Sequence, residues 1–126
     1  MYPRLEEIPA WNKLSPKEQA ISARKMEVYA AMIAITDEQI GRLLAHLREI
    51  GVYDNTVIFL LSDNGPNPED IDFWGREWIE KNYDNSLNNI GDRDSFVMYG
   101  ASWSQVSAGP LRLGKTYTPK VGFAPR

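Results

Sequence analysis

Apolar positions in the first fifty residues recur at helical spacing. Met26, Tyr29, Ile33, Ile40, Leu44 and Leu47 fall on one face, and Lys, Arg and Glu fill much of the rest. The start is marked by Ser15 at an N-cap, Pro16 at the first helical position and Glu18 at the reciprocal capping-box position. Gly51 supplies a stop. The spacing therefore predicts a helix from Pro16 to about Glu49, with Thr36-Asp37 as a candidate break. Gly41 weakens it by about 1 kcal/mol relative to Ala. Before it, Pro3, Pro9 and polar residues around Trp11 mark an irregular lead-in.

The pattern then changes. Val52 to Asn55 reads as a short turn, and Thr56 to Leu61 is a continuous apolar run rich in β-branched residues. A run without polar alternation is expected to be a strand buried on both faces, as in parallel sheets. Pro66 and Pro68 end it. Ile71, Phe73, Trp74, Trp78 and Ile79 predict a short amphipathic helix over 71–81. Residues 82–94, rich in Asn, Asp and Gly, predict a loop. Residues 96–99 are a second strand candidate, and 100–108 a helical segment stopped by Gly109-Pro110. The aromatic residues Trp74, Trp78, Tyr83, Phe96, Tyr99 and Trp103 are expected in the core. Helix, short turn and buried strand make an α/β unit. One strand cannot form a sheet, so the unit is expected to belong to a larger α/β domain.

Composition narrows the function classes. The chain has 126 residues and a net charge of −3, with no basic patch, which disfavours nucleic acid as a partner. No apolar run approaches the ~18 residues of a membrane span, so no membrane partner is expected. There is no cysteine, hence no disulfide, thiolate metal site or cysteine nucleophile. His46 is the single histidine, expected at the helix surface or half-buried there.

Candidate chemistry lies at the end of the apolar run. In open α/β sheets, ligands bind beyond the carboxyl ends of strands. Asp63 and Asn64 sit there and offer a carboxylate and an amide oxygen, hard donors suited to Ca²⁺ or Mg²⁺. Asp-Asn-Gly is equally a good turn sequence, and the residues alone leave both readings open. Lys115 reads by itself as a surface lysine, and the acidic residues Glu69, Asp70 and Asp72 as a solvated stretch.

The order of short motifs resembles the arylsulfatases. These are Pro9-x-Trp11-x-x-Leu14-Ser15, Ala23-Arg24-x-Met26-Glu27-Val28-Tyr29-Ala30-Ala31, Ile40-Gly41-Arg42-Leu43, Asp54-Asn55-Thr56 and Ser62-Asp63-Asn64-Gly65. They continue in Asn82-Tyr83-Asp84-Asn85-Ser86-Leu87-x-Asn89-Ile90-Gly91, Ser95-Phe96-Val97-x-Tyr99-Gly100 and Pro110-x-Arg112-Leu113-x-Lys115-x-Tyr117-Thr118. Together they look like the later part of a sulfatase catalytic domain.

The resemblance implies an α/β fold with a partial alkaline-phosphatase-like sheet, the long helix packed on the buried parallel-type strand. It implies hydrolysis of a small-molecule sulfate ester by a formylglycine beside a bound Ca²⁺. Asp63 and Asn64 match calcium ligands of the family, and Lys115 matches the lysine that contacts the sulfate. Related phosphatases and phosphodiesterases carry Asp-His there for zinc, so Asn64 disfavours a phosphoesterase. The departures are equally specific. The formylglycine precursor motif, Cys/Ser-x-Pro-x-Arg, is absent, so no nucleophile is expected in this chain and the calcium site is expected to be incomplete. The other ligands are expected from an upstream part of the catalytic domain, which would then be a partner. A non-catalytic remnant or binding module is the alternative. Residues 1–118 are thus expected to be a partial catalytic domain, and 119–126 a divergent tail. Codons for Thr-Glu-Gly-Gly-Ile-Arg-Ala-Pro, read after loss of one base, can give Pro-Lys-Val-Gly-Phe-Ala-Pro-Arg, so Pro119 onward is expected to be out of frame.

Overall fold

The computed structural model describes residues 8–109 together with Gly114 and Lys115. The tail at 119–126 and most of the lead-in before Pro9 lie outside the described residues. Three α-helices are present among the described residues: α1 (Pro16–Glu49), α2 (Arg76–Asn82) and α3 (Gly100–Ser107).

Helix α1 begins as its capping box dictates. The Ser15 hydroxyl accepts from the Glu18 N–H at 3.3 Å, and the Glu18 carboxylate accepts from the Ser15 N–H at 2.7 Å. Two otherwise orphaned donors are satisfied by this exchange. The Ser15 hydroxyl also donates to the Glu18 carboxylate at 2.7 Å, and this bond, with that from the Ser15 N–H, holds the Glu18 carboxyl below its ordinary pKa. No break occurs at Thr36-Asp37, where the Thr36 hydroxyl donates to the Met32 carbonyl at 2.8 Å and the helix continues. At the far end, Val52 N–H reaches the Leu47 carbonyl and Gly51 N–H the Arg48 carbonyl, both at 3.1 Å. With Gly51 at φ +73°, this is a Schellman stop, which requires the left-handed conformation that glycine adopts without strain. A 3₁₀ turn at Tyr53–Asn55 follows, with the Arg48 guanidinium 4.1 Å above the Tyr53 ring.

The expected α/β architecture is not found. The described residues contain no strand, neither at 56–61 nor at 96–99, and so no alkaline-phosphatase-like sheet. A strand is defined by its hydrogen-bonded neighbour, and the run finds none. No backbone acceptor within the described residues takes the N–H groups of residues 57–61. Val57, Phe59, Leu60 and Leu61 are 78, 82, 77 and 76% exposed. The apolar pattern states which surroundings suit these side chains, and the described chain does not supply them. Helix α1 consequently packs on no strand among the described residues, and none of its residues is fully buried.

What α1 does support is its N-terminal half. Arg24 Nε donates to the Ile90 carbonyl at 3.0 Å, and Trp103 Nε1 donates to the Ser22 carbonyl at 2.9 Å. Tyr29 stacks on Tyr99 with ring centroids 4.9 Å apart. The backbone of Gly91 passes against the Val28 side chain. The loop between α2 and α3 is thereby fixed to α1. The loop is closed on itself by Asn89, whose amide donates to the Asp84 and Arg93 carbonyls at 2.8 and 3.1 Å.

The helix expected over 71–81 is divided. A 3₁₀ turn at Ile71–Trp74 gives way to α2 at Gly75, where φ is +91°. Ile79, Ile90 and Ala108 form the small buried core with Ile8. Of the aromatic residues expected inside, Tyr83, Phe96, Tyr99 and Trp103 are half-buried, while Trp74 and Trp78 are exposed. The segment expected over 100–108 is α3, and His46 is exposed on α1.

Candidate functional site

The chain bends at Asp63 and Asn64, directly after the apolar run. The Ser62 hydroxyl donates to the Asn64 carbonyl at 2.7 Å, which tightens the bend. Asp63 is exposed and Asn64 half-buried. Within the described residues, no hydrogen bond or ion pair engages the Asp63 carboxylate, which leaves its oxygens available to a cation. The turn reading and the ligand reading are compatible, because the hydrogen bond that tightens the bend uses the Asn64 backbone carbonyl and neither side-chain oxygen.

Two residues on, the Pro66 carbonyl accepts two hydrogen bonds. One comes from the Lys115 backbone N–H at 2.7 Å, the other from the Ser104 hydroxyl at 3.1 Å. Ser104 lies on α3 and is 1% exposed. Gly114 is buried between them. A Cβ at Gly114 would overlap both the Pro66 carbonyl oxygen and the Ser104 hydroxyl. The chain thus returns from α3 to the very turn that carries Asp63 and Asn64. Lys115 is held there by its backbone while its side chain is exposed.

Ser104 and Gly114 carry no signal in the sequence. A serine beside Trp103 on a helix, and a glycine between Leu113 and Lys115, match no motif of their own. Only the close approach of three backbone segments makes them necessary. Tyr99 adjoins the same cluster. Burial pushes its phenol up, against side-chain hydrogen bonds to Ser107 and Ser104 that act in the opposite direction.

The donor set can be tested against calcium. Asp63 and Asn64 supply hard oxygens, which suit Ca²⁺ in kind, but the ion takes six to eight of them. Among the described residues no group of three or more Asp, Glu or His side chains could hold a metal ion. The pair therefore fits as part of a calcium site. A formylglycine does not fit. No cysteine and no Ser-x-Pro-x-Arg is present to become one.

The pattern of the family described as Sulfatase matches residues 3–123, nearly the whole chain. The chain belongs to the sulfatase family. This sulfatase chain is 42% identical over 115 residues to an arylsulfatase of Klebsiella aerogenes, covering 86% of this chain and 24% of that protein. It is 40% identical over 117 residues to a sulfatase of Schizosaccharomyces pombe, covering 90% of this chain and 21% of that protein. A shorter match, 50% over 40 residues, is to an N-acetylglucosamine-6-O-sulfatase of Bacteroides thetaiotaomicron, covering 32% of this chain and 7% of that one. The chain thus spans between a fifth and a quarter of the two relatives it matches over most of its length.

Proposed function

We propose that this chain is the part of a sulfuric ester hydrolase of the arylsulfatase type that carries two calcium ligands, Asp63 and Asn64, and the sulfate-contacting Lys115. The observation that supports the reading most is the Pro66 carbonyl. It ties the Asp63-Asn64 bend to Lys115, although the two lie far apart in sequence. Bound there, Ca²⁺ would supply a fixed positive charge against sulfate oxygens. Asp63 would hold the ion through its carboxylate and Asn64 through its amide oxygen. Lys115, anchored at its backbone and exposed at its side chain, would hold a sulfate oxygen and offset negative charge as it develops. With no residue able to become the nucleophile, the 126-residue chain is expected to bind without turnover.

Calorimetric titration of the purified chain with Ca²⁺ tests the reading. Two protein ligands place the expected Kd on the order of 1 mM, the weak end for protein calcium sites. Asp63→Ala should abolish binding and His46→Ala should leave it intact. Binding that survives Asp63→Ala would sink the assignment. Hydrolysis of an aryl sulfate by the 126-residue chain well above background would overturn the expected lack of turnover. A preference for Zn²⁺ over Ca²⁺ would favour a phosphoesterase instead.

A further inference from the structure

We propose that Ser104 and Gly114 form a latch on the Pro66 carbonyl that couples the Asp63-Asn64 bend to Lys115. Ser104 is a positioning residue, and the proposal rests on the reading of those three residues given above.

A carbonyl oxygen has two lone pairs, and at Pro66 both are in use. Lys115 N–H takes one and the Ser104 hydroxyl the other. Ser104 is almost fully buried, so a hydroxyl that let go of Pro66 would find no water to replace it and only the Tyr99 phenol beside it. Gly114 makes the geometry possible, since any side chain there would push the Lys115 segment off the carbonyl. Proline at 66 adds stiffness, because its ring fixes φ and shortens the slack between Asn64 and the latch. A shift of the bend is therefore passed to the Lys115 backbone instead of being absorbed by a loose loop.

The other end of the latch is fixed as well. Ser104 belongs to α3, and its neighbour Trp103 is hydrogen-bonded to the Ser22 carbonyl of α1. Tyr99, just before α3, stacks on Tyr29 of α1. Positioning groups are effective when they sit on rigid elements, and Ser104 does. Ca²⁺ at Asp63 and Asn64 and an anion at Lys115 should then favour each other, reciprocally, through Pro66.

Amide NMR of the ¹⁵N-labelled chain, with CaCl₂ and sodium sulfate as the probes, tests this. The Lys115 amide should exchange roughly tenfold more slowly than that of Asp63, which has no acceptor among the described residues. Ca²⁺ should shift the amide resonances of Asp63, Asn64 and Lys115 together. It should also raise sulfate affinity by roughly five- to tenfold, the lower range of allosteric couplings. Ser104→Ala should keep the Ca²⁺ response at Asp63 and Asn64, lose it at Lys115, and bring the ratio of sulfate affinities with and without Ca²⁺ close to one. A merely structural role for Ser104 would lower the folded fraction without changing that ratio. Gly114→Ala approaches the latch from the other side and should give the same loss. Fast exchange of the Lys115 amide in the unsubstituted chain would overturn the latch directly, whatever the variants do. A coupling ratio unchanged in both variants would overturn it too. If instead Ca²⁺ leaves Asp63 and Asn64 unmoved while the Lys115 amide is protected and Ser104→Ala exposes it, the latch stands and the calcium reading falls.

Discussion

The Tyr99 ring stacks on that of Tyr29, with centroids 4.9 Å apart and planes inclined by 21°. Tyr29 lies on α1, and Tyr99 immediately precedes α3. The Trp103 indole is hydrogen-bonded to Ser22, two turns earlier on the same face of α1. These two contacts dock α3, and with it the Ser104–Pro66 connection, onto the long helix. Such a pair of rings contributes about 0.5–1.5 kcal/mol beyond the area it buries.

The stack carries a pH signature. Burial of the Tyr99 phenol raises its pKa above the ordinary value of 10.0. The fold therefore prefers the protonated phenol. In the window between the unfolded and folded pKa values, the native state binds more protons than the unfolded state, so stability falls as pH rises. The contribution is fully present below pH 10 and is lost above it, as the pH passes the raised folded value. Urea unfolding midpoints compared at pH 8 and above pH 10 check this. Tyr99→Phe keeps the stacking ring but has no phenol, and it should lose less stability over that interval than the unsubstituted chain. Equal losses would show that Tyr99 ionisation is not coupled to folding.

Gly91 faces a different constraint. Its φ is +91°, and a Cβ built there would run into the Val28 side chain. Gly91→Ala should therefore combine backbone strain with overpacking and cost about 2–4 kcal/mol. Truncating Val28 removes the obstructing methyl groups but not the backbone strain. In a double-mutant cycle, Val28→Ala should recover part of the loss from Gly91→Ala and leave a residual penalty. Full additivity of the two substitutions would mean that the Val28 contact contributes nothing.

How much of this was legible follows from the range of the interaction. Signals contained in one turn of chain were read correctly: the Ser15–Glu18 box, the Gly51 stop, the Asn-rich loop and the segment that became α3. The box and the stop each depend on groups within about five residues of one another. The split at Gly75 was hidden because the apolar residues from Ile71 to Ile79 keep helical spacing across it. The run from Thr56 to Leu61 failed as a strand because a sheet needs a second chain segment. No local pattern states whether one is within reach. At the site, Asp63 and Asn64 were singled out by their hard oxygen donors just beyond the apolar run, with a plain turn as the open alternative, and Lys115 only by resemblance. Ser104 and Gly114 were missed altogether, since their importance arises from a three-way approach of backbone that leaves no trace in residue spacing.

The cap of α1 supplies a second pH test, of opposite sign. Hydrogen bonds from Ser15 lower the Glu18 carboxyl below its ordinary 4.5. A depressed folded value means that the stabilisation is present above pH 4.5 and is lost as the pH falls through the depressed folded pKa. Ser15→Ala removes the hydroxyl cap, a loss of about 1 kcal/mol at neutral pH. It should also flatten the acid limb of a helicity titration followed by circular dichroism. An acid limb as steep as that of the unsubstituted chain would show that the box does not govern the pH response of α1.

The exposed run makes the chain prone to self-association. Residues 56–61 have no charge and no proline, and they are rich in β-branched and bulky apolar side chains. Their amides from 57 to 61 find no backbone acceptor within the described residues. Unpaired backbone beside exposed apolar side chains is a template for pairing with another copy. Phe59 is 82% exposed, so a charge placed there has no packing to disrupt and should change stability by no more than about 0.5 kcal/mol. Phe59→Lys and Phe59→Asp should both lower light scattering at a given protein concentration. They move the net charge of −3 in opposite directions, so a shared effect would come from the run itself and not from overall repulsion. Trp78→Lys is the comparison outside the run, at a residue 59% exposed, and should reduce scattering less. Scattering that falls only in Phe59→Asp would instead assign the effect to net charge.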